Sequence, residues 1–195
     1  MKQIAKIFSL LILVLLVSFG GYKLWNKYIN YNFGVVTEGK VYKSAAIEPS
    51  KLEDFITEHN IKTVIDFRKN SNDTYRLEDE VKAIEAIEGT SYYNIKSKQV
   101  PTEKELKEFY SIMDDEANYP VLLHCYHGLG RTMLYVSLYR IEYEGMDNDL
   151  ARSMTRPYVV DTPFYKSSFA PGKPKGDFLL SYTPREKQED ANISR

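Results

Sequence analysis

Two residues of this chain, Cys125 and Arg131, have types and a spacing that could do covalent chemistry. They stand with five residues between them in Pro120-Val-Leu-Leu-His-Cys-Tyr-His-Gly-Leu-Gly-Arg-Thr132. A short apolar run, Val121 to Leu123, ends in His124 and Cys125, and a glycine-bearing loop leads on to Arg131, Thr132 and a periodic helical segment. A strand–loop–helix of this kind can turn its backbone N–H groups inward as an anion nest, with the positive end of the helix dipole behind it. The same field lowers a thiol pKa and makes Cys125 available as a nucleophile near neutral pH. The planar fork of Arg131 can hold two oxygens of one anion. Gly128 and Gly130 allow the backbone close to it. A phosphate fits this frame, bound along Tyr126, His127, Gly128, Leu129, Gly130 and Arg131.

The flanking sequence supplies the elements needed to hold such a loop. Val41 to Ala45, Thr63 to Phe67 and Tyr92 to Ile95 read as strands. Helices are predicted over Pro49 to His59, with Leu52, Phe55 and Ile56 on one face, and over Tyr75 to Ile87, with Leu77, Val81, Ile84 and Ile87 in period. Thr102-Glu-Lys-Glu105 is a capping-box signature opening a helix that carries Leu106, Phe109, Ile112 and Met113. Further helices run from Arg131 to Glu144 and from Asp147 to Arg156, where Pro157 ends the pattern. Strands alternating with helices predict an α/β fold, a mostly parallel central sheet flanked by helices, with the loop at the carboxyl end of a strand.

Composition excludes several classes. With a net charge of −1 and dispersed basic residues, there is no sign of nucleic-acid binding. One cysteine rules out an intramolecular disulfide, and with His59, His124 and His127 the only histidines a closed Cys/His zinc site is not expected. Residues 1–30 differ from the rest. Lys2 and Lys6 precede an uncharged, mostly apolar run from Ile7 to Tyr22, followed by Lys23, Trp25, Lys27 and Tyr28. Residues 7–22 read as a single-pass membrane anchor with snorkelling lysines and an interfacial belt. The alternative is a signal segment cleaved after Gly20, leaving a secreted or periplasmic protein. The order of charges favours a domain outside the cytoplasm. The chain then divides into an anchor or signal segment with its tether (1–30), a catalytic domain (31–169) and a Pro-, Gly-, Lys-, Ser- and Glu-rich tail expected to be disordered (170–195).

The loop His124-Cys125, five residues, Arg131-Thr132 resembles the phosphate-binding signature of the cysteine-dependent protein tyrosine and dual-specificity phosphatases. The similarity reaches outward through Phe33 to Ala45, Ile61 to Arg68 and the helix around Tyr139-Arg140, and is closest to the small bacterial dual-specificity-like branch. The resemblance implies a phosphomonoester hydrolase working through a phosphocysteine, without metal or cofactor. Cys125 is then the nucleophile and Arg131 holds the phosphoryl oxygens. Thr132 hydrogen-bonds the sulfur, and His124 supports the thiolate from behind the loop. The family's general acid is usually an Asp on the loop that precedes the helix before the signature. Here that loop is Lys96-Ser-Lys-Gln-Val-Pro101 and has no carboxylate. Glu103 and Asp66 are the candidates in its place, Asp66 with the alternative of pairing with Arg68 to tie a strand end to the loop. No position from 126 to 130 is lysine, which favours a phosphorylated protein or a small phosphomonoester over inositol phosphates. A phosphopeptide-binding pseudophosphatase is the reading from outside the enzymes.

Overall fold

A computed structural model describes residues 2–69, 76–156, 162 and 165–186. The turn expected at 70–73, the stretch that follows Arg156 and the last nine positions of the tail lie outside the described residues. The chain opens with one helix, α1 (Lys2–Tyr28), and continues through β1 (Gly34–Thr37), β2 (Val41–Ala45), α2 (Pro49–Glu58), β3 (Thr63–Asp66), α3 (Leu77–Glu85) and β4 (Ser91–Asn94). Then come α4 (Glu103–Met113), β5 (Val121–Cys125), α5 (Arg131–Tyr143), α6 (Asn148–Ser153) and α7 (Pro174–Ser181). The five strands form one sheet in the order β1-β2-β5-β3-β4. All neighbours are parallel except β1 and β2. This is the α/β fold expected. The last strand in the chain, β5, is inserted at the centre between β2 and β3, so the loop that follows it leaves the sheet where ligands gather in such folds.

Side chains alternate across β5, and this sorts the residues that matter. Val121, Leu123 and Cys125 face one core with α4, α5, α6 and α7. Leu122 faces a second core with Leu52 and Ile56 of α2 and Ile84 of α3. His124 has the same parity as Leu122, so neighbours in sequence serve opposite faces of the sheet.

The capping box forms as read, with Thr102 Oγ1 accepting from Glu105 N and Glu105 Oε2 accepting from Thr102 N. Two elements were not read from the sequence. One is the edge strand β1. The other corrects the disordered tail, because α7 lies inside it and is docked on α5 and α6. Leu179 is fully buried, and Gly176 sits so close to the preceding turn that a Cβ there would stand 2.2 Å from the Ala170 carbonyl oxygen. Asn148 donates to the carbonyls of Leu179 and Tyr182 at 2.9 and 2.7 Å. Beyond the helix, Arg185 reaches Asp114 at 2.8 Å and Glu142 at 3.2 Å.

Over Lys6–Asn26, α1 is 21 residues of apolar helix, none of it buried, long and apolar enough by length and composition to cross a membrane. At 1.5 Å per residue it spans about 30 Å, the thickness of a bilayer's hydrocarbon.

A docked α7 makes Leu179→Ala a cavity mutation, expected to lower unfolding free energy by about 2–5 kcal/mol. Chemical denaturation checks this, and an unchanged midpoint would contradict the docking.

Candidate active site

Cys125 ends β5 at 3% exposure, a position where an ordinary thiol would be buried and inert. Burial does press its pKa upward, yet the pKa is lowered overall. Thr132 donates to the sulfur from its hydroxyl and its backbone N–H, and the N–H groups of Gly128 and His127 donate as well. These donors favour the charged form of the sulfur, which makes Cys125 the candidate nucleophile.

The loop can curl this tightly because of Gly128. Its φ is +66°, and a Cβ there would stand 2.4 Å from the Ser44 carbonyl oxygen on the neighbouring strand. The chain leaves the loop at Gly130 and enters α5, whose amino end begins with Arg131. Arg131 Nη1 donates to the Phe67 carbonyl at 2.6 Å, which orients the guanidinium from the end of β3. Phe67 in turn stacks on Tyr135 of α5 with ring centroids 4.0 Å apart. Tyr135 OH reaches Ser97 Oγ at 3.0 Å, so the segment after β4 is tied to the same helix. Tyr126 and Leu129 are half-buried on the loop and His127 is exposed, its ring edge-on to Tyr126.

Behind the loop lies a buried charge network. His124 Nε2 is 2.8 Å from Glu80 Oε1 and 3.9 Å from Asp66 Oδ1. Arg68 pairs with both Asp66 and Glu80. Tyr92 OH donates to Asp66 Oδ2 at 2.8 Å. With His124 protonated the two carboxylates face two cations and the cluster is neutral. That balance explains the directions. Burial alone would lower the pKa of His124, but Glu80 and Asp66 together raise it. Burial alone would raise that of Asp66, but His124 and Arg68 lower it.

This placement corrects Asp66 as a general acid. It is fully buried, faces away from the Cys125 side of the sheet, and is held ionised by its partners, so it has no proton to give. It forms the Arg68 pair instead. Glu103 is an exposed residue on the first turn of α4, without an ion pair among the described residues.

Two basic residues near the sulfur come from outside the loop and were missed. Lys43 of β2 has the parity of Val41, on the Cys125 face. Burial lowers its pKa and Cys125 opposes that. Lys175 of α7 behaves in the same way. Lysines in a strand and in a supposed tail carry no sequence signal that they converge. A third feature is a polar clasp at the end of α1. Asn32 Nδ2 donates to the His127 carbonyl at 3.1 Å, and Lys43 Nζ donates to the Asn32 carbonyl at 2.7 Å. Asn26 and Asn30 continue the chain, at 2.9 Å from Asn26 to Asn32 and 3.0 Å from Asn30 to Asn26. Tyr31 and Asn32 both have positive φ, 50° and 49°, which turns the tether back onto the loop.

A cysteine of lowered pKa at the end of the central parallel strand, ringed by backbone N–H groups and followed by an arginine, defines the class of cysteine-dependent phosphatases. The chain belongs to the family described as DSP-PTPase phosphatase fused to NAD+ kinase, whose profile matches residues 36–169. It is thus of the dual-specificity protein tyrosine phosphatase-like kind. A comparison with curated proteins returned no match. Among solved structures, the chain is similar to the core catalytic domain of the PP-IP phosphatase Siw14 from S. cerevisiae, at 18% identity and a TM-score of 0.60, over 84% of this chain and 92% of that one. It is similar also to P. aeruginosa TpbA, at 18% identity and 0.59, over 83% and 91%. A putative phosphatase from Shewanella putrefaciens CN-32 matches at 18% and 0.54, over 76% and 88%. At these identities the likeness is one of fold.

Gly128→Ala is expected to push the loop off its anion geometry and reduce phosphate binding and turnover by roughly 100-fold or more. Isothermal titration with phosphate and ester hydrolysis check it. The buried network sets a pH dependence of stability. Asp66 has a folded pKa below the usual 3.8, so its contribution is present above 3.8 and lost as pH falls through the folded value. His124 has a folded pKa above 6.5, so its contribution is full below 6.5 and lost as pH rises through the folded value. The midpoint of thermal unfolding should be highest between these limits, and Glu80→Gln should move the alkaline edge toward acid.

Proposed function

We propose that the protein hydrolyses phosphomonoesters through a phosphocysteine. The observation that carries this is the Cys125 sulfur, whose thiol pKa is lowered against its burial by four donors. Cys125 attacks phosphorus as the P–O bond to the leaving group breaks, and the leaving oxygen takes its proton from water. A second water then attacks phosphorus, the P–S bond breaks, and inorganic phosphate leaves. Thr132 stabilises the departing sulfur by its hydrogen bond, and Arg131 with the amides of Tyr126 to Gly130 holds the oxygens throughout. His124 is a positioning residue that supports Cys125 from the other face of the sheet. Neither Asp66 nor an acid from Lys96 to Pro101 helps the leaving group, so esters with good leaving groups turn over best.

Phosphotyrosine or a small phosphomonoester is the substrate favoured by the loop itself, and TpbA with its cysteine changed to serine has been solved with phosphotyrosine. A second reading is favoured by one observation. Lys43 and Lys175 bring to the site the positive charge that positions 126–130 lack, which suits inositol phosphates, in keeping with the PP-IP phosphatase named among the similar structures. We further propose that α1 anchors the chain in a membrane by a single pass, with the catalytic domain outside the cytoplasm and its folded unit extending through α7. Cleavage to a secreted form is the alternative. No cofactor enters the scheme.

One preparation tests the reading. Full-length chain is expected to remain in the membrane fraction after alkaline carbonate washing, and in detergent to release phosphate from p-nitrophenyl phosphate and a phosphotyrosine peptide. Cys125→Ser should reduce that release by roughly a thousand-fold or more. Phosphopeptide binding without turnover of these or of inositol phosphates would replace the enzyme by a binding module.

A further inference from the structure

Lys175 stands near the start of α7, and the residue is 7% exposed. An ammonium removed from water is costly unless an anion accompanies it. Its surroundings contain no carboxylate partner among the described residues. On one side is the ring of Phe169, with Nζ 5.3 Å from the centroid. On another is Gly130, the last residue of the anion loop. A Cβ on Gly130 would stand 3.2 Å from Lys175 Nζ, so the absent side chain leaves the ammonium against the loop backbone. Of the charged groups that act on it among the described residues, Cys125 favours its charge, while Arg156 and Arg131 oppose it.

The charges of Arg131, Arg156 and Lys175 therefore oppose one another, and the charged form of Cys125 offsets them only in part. The arrangement becomes favourable when a doubly charged phosphoryl group enters. We propose that Lys175 is a substrate-contacting residue of this site, its ammonium holding a phosphoryl oxygen on the Gly130 side of the loop alongside Arg131. This rests on the phosphatase reading above.

Rigid docking of α7 makes such a contact useful. Gly176 locks the turn against Ala170, Leu179 fills the core, and Asn148 holds the end of the helix. Nζ is thereby fixed before the anion arrives, and a fixed charge stabilises a transferring phosphoryl group without reorganisation.

The test uses full-length chain in detergent, with Lys175→Met, Lys175→Gln and Lys175→Arg. Inorganic phosphate is the probe, as a competitive inhibitor of p-nitrophenyl phosphate hydrolysis. Loss of one charge-assisted hydrogen bond should raise the inhibition constant of phosphate about tenfold or more in K175M and K175Q. The pH midpoint of Cys125 alkylation by iodoacetamide should move up in both, a readout that needs no turnover. K175R, which keeps the charge, should stay within about threefold of wild type for phosphate. Thermal unfolding shows which variants are folded, and the two neutral variants give independent chances. An active wild type whose folded K175M or K175Q keeps the same phosphate constant and alkylation midpoint overturns this proposal alone. A folded K175R that loses as much as K175M overturns the assignment to charge. A folded wild type that neither hydrolyses the ester nor binds phosphate overturns both readings together.

Discussion

A cysteine sulfur taken out of water at the end of the central strand, where its charged form has to be held, is the condition that the rest of the site answers. Such a charge is costly to bury unless donors replace the lost water. The donors here are local and cheap to assemble: the Thr132 hydroxyl and N–H at the start of α5, and the N–H groups of His127 and Gly128 that a positive φ at Gly128 brings round the sulfur. Central placement of β5 is what makes the ring possible. Its neighbours on both sides are strand ends, so Ser44 can wall the loop on one flank while the Phe67 carbonyl fixes Arg131 on the other.

The period of two along β5 divides labour between the faces of the sheet. Cys125 belongs to the face where α5 and α7 bring cations, and its chemistry is exposed to the entering anion. His124 belongs to the opposite face, where Glu80 from α3 and the Asp66–Arg68 pair make a closed, neutral network. A network balanced in this way can be buried without leaving a net field on the sulfur. It also fastens β3 and β5 together at the level where the loop departs.

Much of this was legible in the sequence because it is local. The apolar run into His124-Cys125, the glycines and Arg131-Thr132 prescribe strand, loop and helix within a dozen residues, and Thr102 with Glu105 prescribes the start of α4. What was not legible is what depends on convergence over long separations. Glu80 looks like any charged residue in the first turn of an amphipathic helix, yet it is fully buried against His124. Pro, Gly and Lys around 171–176 read as a solvated tail. In the fold Pro174 starts a helix, Gly176 permits a contact that no side chain would, and Lys175 points its charge at a loop more than forty positions earlier. Of the two readings open for Asp66, the pair with Arg68 is the one that forms, since its strand end does lie near the site but its side chain has the parity of the other face.

The asparagine clasp also bears on where this protein can be cut. A division at residues 30 and 31 separates the apolar helix from the catalytic fold on paper, but it runs through the middle of the hydrogen-bonded chain Asn30, Asn26, Asn32, His127. A fragment trimmed to begin at Phe33 would leave the His127 carbonyl without Asn32, Lys43 without its acceptor, and Ala45 N–H without the Tyr31 carbonyl that it reaches at 2.6 Å. The stretch from Asn26 to Asn32 is therefore tied to the loop through Asn32, and a soluble version of the protein has to carry it.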